Sequence, residues 1–326
     1  MSGYQQQTQK TLTDMSEAYA VISQLAELAR NAQAVLGRAD ADSRNQALLL
    51  AAQLIRQNSR QIEDANQKDR EQGRQTGLSD AFIDRLTLTA DRIEAMATGL
   101  EDIAGLDDPL GIELARWTRP NGLDITRIST AIGVIGVIYE SRPNVTVDAA
   151  GLCIKSGNSV ILRGGSDSYH TTQILSGLMQ QSLTHAGLPQ AAVQSVPSPD
   201  RALVGAMLTA SGQLDVIIPR GGKGLVKRVQ DEARVPVFAH LDGVCHLYIS
   251  AKANMKKAAD ICINAKMRRV GICGAAETLL IEQSVNTTDM SLIVKQLLDS
   301  GCEVRGTKVV AACDNRIVPA TDADWG

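Results

Sequence analysis

The feature that most limits the fold of this chain is a regular alternation of short apolar runs and helical segments, which begins near residue 131. Apolar runs that predict strands occur at residues 132–139, 159–162, 193–196, 214–218 and 235–238. The segments between them, such as residues 171–185 and 224–233, have apolar residues at the spacing of one helical face. Strands that alternate with helices form a parallel sheet covered on both faces, so the sequence predicts an α/β fold.

A second α/β series follows the turn-forming pair Asp242-Gly243. Its predicted strands are at residues 247–249 and 278–281, and its predicted helices are at residues 255–266 and 289–298. We therefore predict three parts. These are a polar tail over residues 1–15, a first domain over residues 16–242 and a second domain over residues 243–326.

The first hundred residues are predicted to be mostly helical. Apolar residues recur three or four positions apart at Val21, Leu25, Leu28, Ala32 and Val35. A second helix is predicted over residues 43–58, and a third begins after Ser79 and continues through Ile93. Between residues 112 and 130 the pattern changes to alternation on either side of Pro120-Asn121-Gly122, which is typical of a β-hairpin. Such a hairpin either pairs with another subunit or folds onto its own domain, and the pattern leaves both open.

Composition excludes several classes of protein. The net charge of −3 gives no basic surface for nucleic acid, and 3% aromatic residues leave few platforms for stacking bases. The apolar run at residues 131–139 is far shorter than the ~20 residues that cross a bilayer, and residues 1–10 lack the apolar core of a signal peptide. Neither the six cysteines nor the four histidines have metal-binding spacing. We expect a cytoplasmic protein with no metal, nucleic-acid or membrane partner.

Two glycine-rich turns are candidates for binding a phosphate. Arg163-Gly164-Gly165-Ser166 and Arg220-Gly221-Gly222-Lys223-Gly224 each follow a predicted strand and open a predicted helix. Backbone N–H groups at a helix start attract anions, and small residues allow close approach. Such turns also occur in sheets that bind nothing, and no G-x-G-x-x-G fingerprint is present.

Cys273 is the strongest candidate nucleophile among the cysteines. It follows Arg268 and Arg269, which favour a thiolate, and it lies between Gly271 and Gly274, which leave room for a substrate. Cys245 is the best rival because His246 adjoins it. Neighbouring strand residues point to opposite faces, however, so His246 is a poor base for that thiol.

Three stretches of the chain carry a specific resemblance. These are GVIYESRPNVTVD at residues 136–148, HLDGVCH at residues 240–246 and NAKMRRVGICGAAET at residues 264–278. They resemble hallmark sequences of the γ-glutamyl phosphate reductases, a family of the aldehyde dehydrogenase superfamily, and the similarity covers nearly the whole chain. The resemblance implies a cofactor-binding domain, a second and incomplete catalytic domain, and an oligomerisation hairpin. It also implies NADPH-dependent reduction of L-glutamate 5-phosphate to L-glutamate 5-semialdehyde, the second step of proline biosynthesis.

The same resemblance implies roles for individual residues. Cys273 matches the nucleophile that forms a thioester, and Asn144 matches the asparagine of the oxyanion hole. Candidate cofactor contacts for NADP(H) are Arg163, Ser166, Gly221 and Gly222, and candidate substrate contacts are Arg142, Arg268, Arg269 and His240. His240 stands where hydrolytic relatives have a water-activating glutamate, which suits a reductase, although it could equally close a strand end.

The resemblance also bears on partners and alternatives. It implies a small-molecule substrate and a homo-oligomer, and glutamate 5-kinase is a further candidate partner. Members of the family extend beyond Trp325, so we expect this form to be truncated. An inactive fragment is therefore one alternative function. A hydrolytic aldehyde dehydrogenase is another, and it would need Glu277, the only carboxylate close to Cys273 in sequence.

Overall fold

The computed structural model describes residues 15–140, 142–240, 243–270 and 272–325, which form two compact units that meet in sequence at Ala239 and His240. The helices of the first unit are α1 (Met15–Leu36), α2 (Ala41–Gln57), α3 (Ser59–Gln75), α4 (Asp80–Leu86), α5 (Ala90–Ala104), α6 (Val145–Lys155), α7 (Tyr169–His185), α8 (Arg201–Leu208) and α9 (Lys223–Glu232). Its strands are β1 (Glu113–Thr118), β2 (Asp124–Ile128), β3 (Val134–Tyr139), β4 (Ser159–Arg163), β5 (Val193–Ser195) and β6 (Val216–Arg220). Of the predicted polar tail, residues 1–14 lie outside the described residues, and Met15 begins α1.

The first unit contains a four-stranded parallel sheet in the order β5-β4-β3-β6. This confirms four of the five predicted strands. The fifth, at residues 235–238, forms a single bridge between Val237 and Ile217. Pro236 explains the difference, because it has no N–H to donate to a ladder, although its carbonyl accepts a hydrogen bond from Ile217 at 2.8 Å.

Helices cover both faces of this sheet, as predicted. Along β3, Ile135 and Val137 pack into a cluster with α2, α5, α6 and α7, whereas Val134 and Ile138 pack into a second cluster with α1, α8 and α9. Every residue of β3 is buried. Alternate side chains of one strand thus fill two separate cores, which fixes the position of each strand end. No helix in the described part of the chain has both the length and the apolar character needed to cross a bilayer.

The helical start differs from prediction in two ways. The predicted third helix is two helices, α4 and α5, because the Asn66 side chain holds the break between them. Its amide donates to Leu86 O at 2.8 Å and accepts from Leu88 N at 2.8 Å, and Thr89 then caps α5. The additional helix α3, on which Asn66 lies, was not predicted, because its buried face includes the polar residues Asn66 and Asp69.

The predicted hairpin is confirmed as β1 and β2, which pair antiparallel with Trp117 opposite Ile125. Gly122 has φ +83°, a conformation that suits glycine in the turn. Nearly all of the ribbon is exposed, including the large apolar side chains of Leu114, Trp117 and Ile128. The hairpin therefore does not fold onto a core of its own unit.

The second unit is a smaller α/β structure, and it confirms the predicted second series. Its elements are β7 (Cys245–Ile249), α10 (Met255–Met267), β8 (Ala276–Ile281), α11 (Thr287–Asp299), β9 (Arg305–Gly306), α12 (Lys308–Ala311) and β10 (Val318–Pro319). Strands β7 and β8 are parallel, and α10 connects them. A small cluster centred on Ile249, Cys262 and Ile293 forms its core. Pairing Cys245 with Ala276 brings the starts of β7 and β8 together.

Candidate active site

In the first unit, the candidate residues meet at the edge of the sheet where the parallel strands end. The chain passes from β3 through β4 to β5 and then returns to the other side of β3 as β6. The carboxyl ends of β3 and β6 therefore flank a topological switch point, where open α/β sheets bind ligands. The two glycine-rich turns follow β4 and β6, and Asn144 lies just beyond β3.

Arg163, at the end of β4, has a buried side chain, only 7% exposed. Its guanidinium donates to Gly164 O at 2.9 Å and to Pro199 O at 2.7 Å, while its Nε has no partner. Burial, followed by the nearby charge of Arg201, lowers the pKa of Arg163. Ser166, in contrast, is exposed at the start of a short 3-10 helix, Ser166–Ser168. The arginine thus holds the loop before α8 and retains one unpaired N–H.

The start of α7 is already occupied by a carboxylate. Asp69, on α3, is 1% exposed and accepts hydrogen bonds from His170 N at 3.0 Å, Thr171 N at 2.8 Å and Thr171 Oγ1 at 2.6 Å. Burial raises the pKa of Asp69, against the lowering effect of these hydrogen bonds. Sequence reasoning missed this residue, because nothing in the pattern of α3 relates it to α7, a hundred residues away.

The turn after β6 offers a more open helix start. Gly222 precedes α9, and its N–H faces Glu140 Oε2 at 3.4 Å. A Cβ on Gly221 would lie 2.7 Å from the same carboxylate oxygen, whereas a Cβ on Gly222 would meet nothing within 4 Å. Glu140, which sequence reasoning also missed, therefore lies where an anion would bind.

Asn144 is half-buried and precedes α6. Its Nδ2 donates to Asp148 Oδ2 at 2.9 Å, one turn further along the helix. Burial raises the pKa of Asp148, and the hydrogen bond from Asn144 opposes that effect. Arg142 is exposed, and its carbonyl accepts from Val145 N at 3.1 Å. The Asn144 amide is thus held in one direction by a neighbouring carboxylate.

In the second unit, Cys273 lies in the turn between α10 and β8. All six cysteines are among the described residues, and Cys273 is the one that is exposed. Burial raises the pKa of the Cys153 thiol to about 12 and also raises the pKa of Cys262 and of Cys302. Since the thiolate is the nucleophile, burial disfavours these three as reactive groups.

Cys273 is in contact with the segment that begins the second unit. A Cβ on Gly243 would lie 2.7 Å from Cys273 O and 3.6 Å from the ring of His240, so both residues adjoin this glycine. Cys245 Sγ donates to Cys273 O at 3.4 Å. His246, the predicted poor base for Cys245, instead has its Nδ1 2.8 Å from Val244 O.

The remaining charged candidates lie on the same connection. Arg268 and Arg269 are exposed between α10 and Cys273. Glu277, on β8, has its Oε2 2.8 Å from Lys266 Nζ. Both residues of this ion pair line a cavity of about 660 Å³ in the second unit, whose lining does not include Cys273. The chemistry of Cys273 therefore belongs to its exposed turn rather than to this cavity.

Comparisons with known proteins identify the family of this chain. Residues 2–301 match the model of the aldehyde dehydrogenase family. The chain is 52% identical over 315 residues to a γ-glutamyl phosphate reductase from Paramagnetospirillum magneticum, covering 97% of this chain and 74% of that protein. It is 53% identical over 319 residues to one from Gluconobacter oxydans, covering 95% of this chain and 74% of that protein.

Solved structures show the same relationship. The crystal structure of γ-glutamyl phosphate reductase from Thermotoga maritima has a TM-score of 0.85 at 38% identity, over 93% of this chain and 73% of that one. The Saccharomyces cerevisiae structure of that name has a TM-score of 0.62 at 30% identity, over 93% of this chain and 76% of that one. The chain is therefore an oxidoreductase that belongs to the γ-glutamyl phosphate reductases within the aldehyde dehydrogenase family.

Proposed function

We propose that this chain uses NADPH to reduce L-glutamate 5-phosphate to L-glutamate 5-semialdehyde and phosphate, in proline biosynthesis, through a thioester on Cys273. The observation that carries the proposal is the position of Cys273. It is the exposed thiol of the six and lies in the turn that holds two arginines, and the resemblance to the family implies that it is the nucleophile. The relatives that share about half of its residues bear the name of this reaction.

The chain's own residues account for the acyl-transfer step. The Cys273 thiolate attacks the acyl carbonyl, and phosphate leaves as a thioester forms. The resemblance assigns the oxyanion hole to Asn144, whose Nδ2 has a second hydrogen besides the one donated to Asp148. The exposed guanidinium groups of Arg268 and Arg269 suit a phosphoryl or carboxylate group. Arg142 is a further exposed candidate for the same role.

NADPH would be held at the sheet edge of the first unit by Arg163, Ser166, Gly221 and Gly222. The residues fit such a group in two respects. Arg163 has an unpartnered Nε, and a Cβ on Gly222 would meet only open space. When bound, NADPH supplies the hydride that converts the thioester to the aldehyde. Because Glu140 lies 3.4 Å from Gly222 N, its carboxylate would have to turn away from an incoming pyrophosphate.

Reduction is favoured over hydrolysis by the groups near Cys273. Hydrolysis would need a free carboxylate to activate water, and Glu277 is held in an ion pair with Lys266 at 2.8 Å. His240 adjoins Gly243 beside Cys273, and we propose that it borders the substrate. The pairing of exposed hairpins from two copies would also give the homo-oligomer, because it covers apolar side chains and free strand edges. Association with glutamate 5-kinase stays a prediction.

The test is phosphate-dependent reduction of NADP⁺ by L-glutamate 5-semialdehyde, the reverse of the proposed reaction. It is measured on this chain and on a version extended to the length of the relatives. Cys273→Ser should lower turnover by at least ~10³-fold, because the hydroxyl replaces an accessible thiolate. Cys313→Ser, half-buried in the same unit, is the matched control and should keep turnover within about two-fold. Absence of phosphate-dependent turnover from both lengths, or full turnover of Cys273→Ser, would overturn the proposal.

A further inference from the structure

We propose that Cys245 is the resolving cysteine of Cys273, so that oxidation of Cys273 by a peroxide ends in a reversible disulfide between the two. The proposal requires only that Cys273 is an accessible thiol, and it does not depend on which substrate the chain reduces. Neither residue is paired with another cysteine in this structure, because all six are free.

The backbones that carry the two cysteines are in direct contact. Cys245 opens β7 and pairs with Ala276, three residues after Cys273. Its Sγ lies 3.4 Å from Cys273 O. A carbonyl oxygen is about 2.4 Å from its own Cα, so Cys245 Sγ lies within roughly 6 Å of Cys273 Cα. The sulfurs of a disulfide are about 2 Å apart, so the bond requires the exposed Cys273 side chain to rotate towards Cys245 Sγ and its exposed turn to close the remaining gap.

Gly243 permits this approach. A Cβ at this position would lie 2.7 Å from Cys273 O, closer than carbon and oxygen can pack. The backbone of Gly243 therefore lies directly against the carbonyl of Cys273. The turn itself is short, closed by a hydrogen bond from Ala275 N to Ile272 O at 3.1 Å, which limits how far Cys273 can move from its neighbour.

The other cysteines are poor competitors. Cys153 belongs to the core of the first unit, and Cys262 to that of the second. The Cys313 thiol donates to Val309 O at 3.7 Å, one helical turn back in its own segment, and Cys302 donates to the carbonyl of the next residue at 3.4 Å. Among the thiols of the described chain, only that of Cys245 donates to the backbone of Cys273.

The chemistry balances in two steps. The Cys273 thiolate attacks one oxygen of hydrogen peroxide, the O–O bond breaks, and hydroxide leaves as sulfenic acid forms. The Cys245 thiol then loses its proton to solvent and attacks the sulfenic sulfur, which forms the S–S bond and expels a second hydroxide. The two hydroxides take up the two thiol protons and become water. Two thiols are thus oxidised by two electrons, one peroxide is reduced to two waters, and a dithiol reductant reverses the change.

The experiment treats the wild-type chain and each variant with an excess of hydrogen peroxide over protein, blocks free thiols and digests with trypsin. We expect residues 235–252 linked to residues 270–295, and loss of this species after reduction. In Cys245→Ser the linked species should be absent, and Cys273 should proceed to sulfinic acid. Reductant should then restore roughly ten-fold more iodoacetamide labelling of Cys273 in wild type than in this variant. Cys302→Ser and Cys313→Ser are matched controls and should form the link normally.

A second variant retains both thiols. Gly243→Ala should lower the yield of the link several-fold, because its Cβ would push the Cys273 carbonyl away from Cys245. Three outcomes would overturn the proposal: no 245–273 link in the wild-type chain, links only between separate molecules, or equal recovery of Cys273 labelling in wild type and Cys245→Ser. The wild-type digest tests the proposal by itself, so the test can still overturn the proposal if a variant does not fold.

Discussion

The sheets of the two units differ sharply in burial. Every residue of β3 and of β4 is buried between two helical layers, whereas no residue of β8 is fully buried. The first unit thus fixes the ends of its strands through cores on both sides, and the second presents Cys273 at an exposed turn before a half-exposed strand. A deeply packed scaffold suits the holding of a large cofactor, and an accessible turn suits a nucleophile that must meet a substrate.

The cysteines show this contrast most directly and lead to the largest predicted effect. Native alkylation by iodoacetamide at pH 8 should be at least ~10³-fold faster at Cys273 than at Cys153. Burial raises the pKa of Cys153 to about 12, which leaves only about one molecule in 10⁴ as thiolate at pH 8. Mass spectrometry of the digested protein gives the extent of labelling at each site.

The control for this experiment is the same reaction in concentrated urea, where the two cysteines should react at similar rates. Similar rates in the native protein would instead mean that the core around α6 opens as readily as the Cys273 turn. In that case burial in the first unit would not protect Cys153 from alkylation.

Core substitutions should give the next largest effect. Ile161, in the middle of β4, is 0% exposed, and Leu280, on β8, is 46% exposed. Ile161→Ala should lower the free energy of unfolding of the first unit by about 2–5 kcal/mol, because it removes buried methyl groups and leaves a cavity. Leu280→Ala should lower that of the second unit by less than about 1 kcal/mol.

Urea titration followed by hydrogen exchange and mass spectrometry measures the two units separately. Ile249→Ala is the control within the second unit, since Ile249 is only 3% exposed and belongs to its core. It should be clearly more destabilising than Leu280→Ala. Equal losses for Ile161→Ala and Leu280→Ala would remove the distinction between a deep and a shallow sheet.

Features whose sequence signal lies within a few neighbouring residues were predictable, whereas features that depend on residues distant in sequence were not. The hairpin, four strands of the main sheet and the second α/β series were predictable because alternation, helical spacing and turn residues act over a few neighbouring positions. The strand at residues 235–238 was wrong because Pro236 limits pairing to one bridge. The break between α4 and α5 was missed because it depends on Asn66, a residue twenty positions away.

The same limit applies to the candidate site. The exposed turn of Cys273 was predictable from its glycines and arginines, as was the presence of two glycine-rich turns after strands. Tertiary contacts were not. Asp69 at the start of α7, Glu140 at Gly222 and Cys245 at the carbonyl of Cys273 all come from segments distant in sequence. No local pattern marks a side chain whose partner is fixed only by folding.

The smallest predicted effect concerns pH, and its sign should differ between the units. In the first unit, burial raises the pKa of Asp69 above its usual 3.8, so folding favours the protonated form. The stability that Asp69 contributes through this shift is present below pH 3.8 and is lost as the pH rises through the raised value. In the second unit, hydrogen bonds from Arg316 lower the pKa of Asp314 to about 2. That contribution is present above pH 3.8 and is lost as the pH falls through about 2.

Variants that cannot titrate separate the two cases. Urea unfolding followed by hydrogen exchange gives a midpoint for each unit in wild type and in each variant. As the pH rises from 3.5 to 7, the midpoint of the first unit in wild type should fall relative to that in Asp69→Asn. The midpoint of the second unit in wild type should rise relative to that in Asp314→Asn over the same pH range. The second change should be the smaller because Arg316 and Asp299, which form a further ion pair at 2.8 Å, keep part of the surface network in the variant. If both differences moved in the same direction with pH, burial could not be the dominant influence on Asp69, and the contrast between a buried and a surface carboxylate would fail.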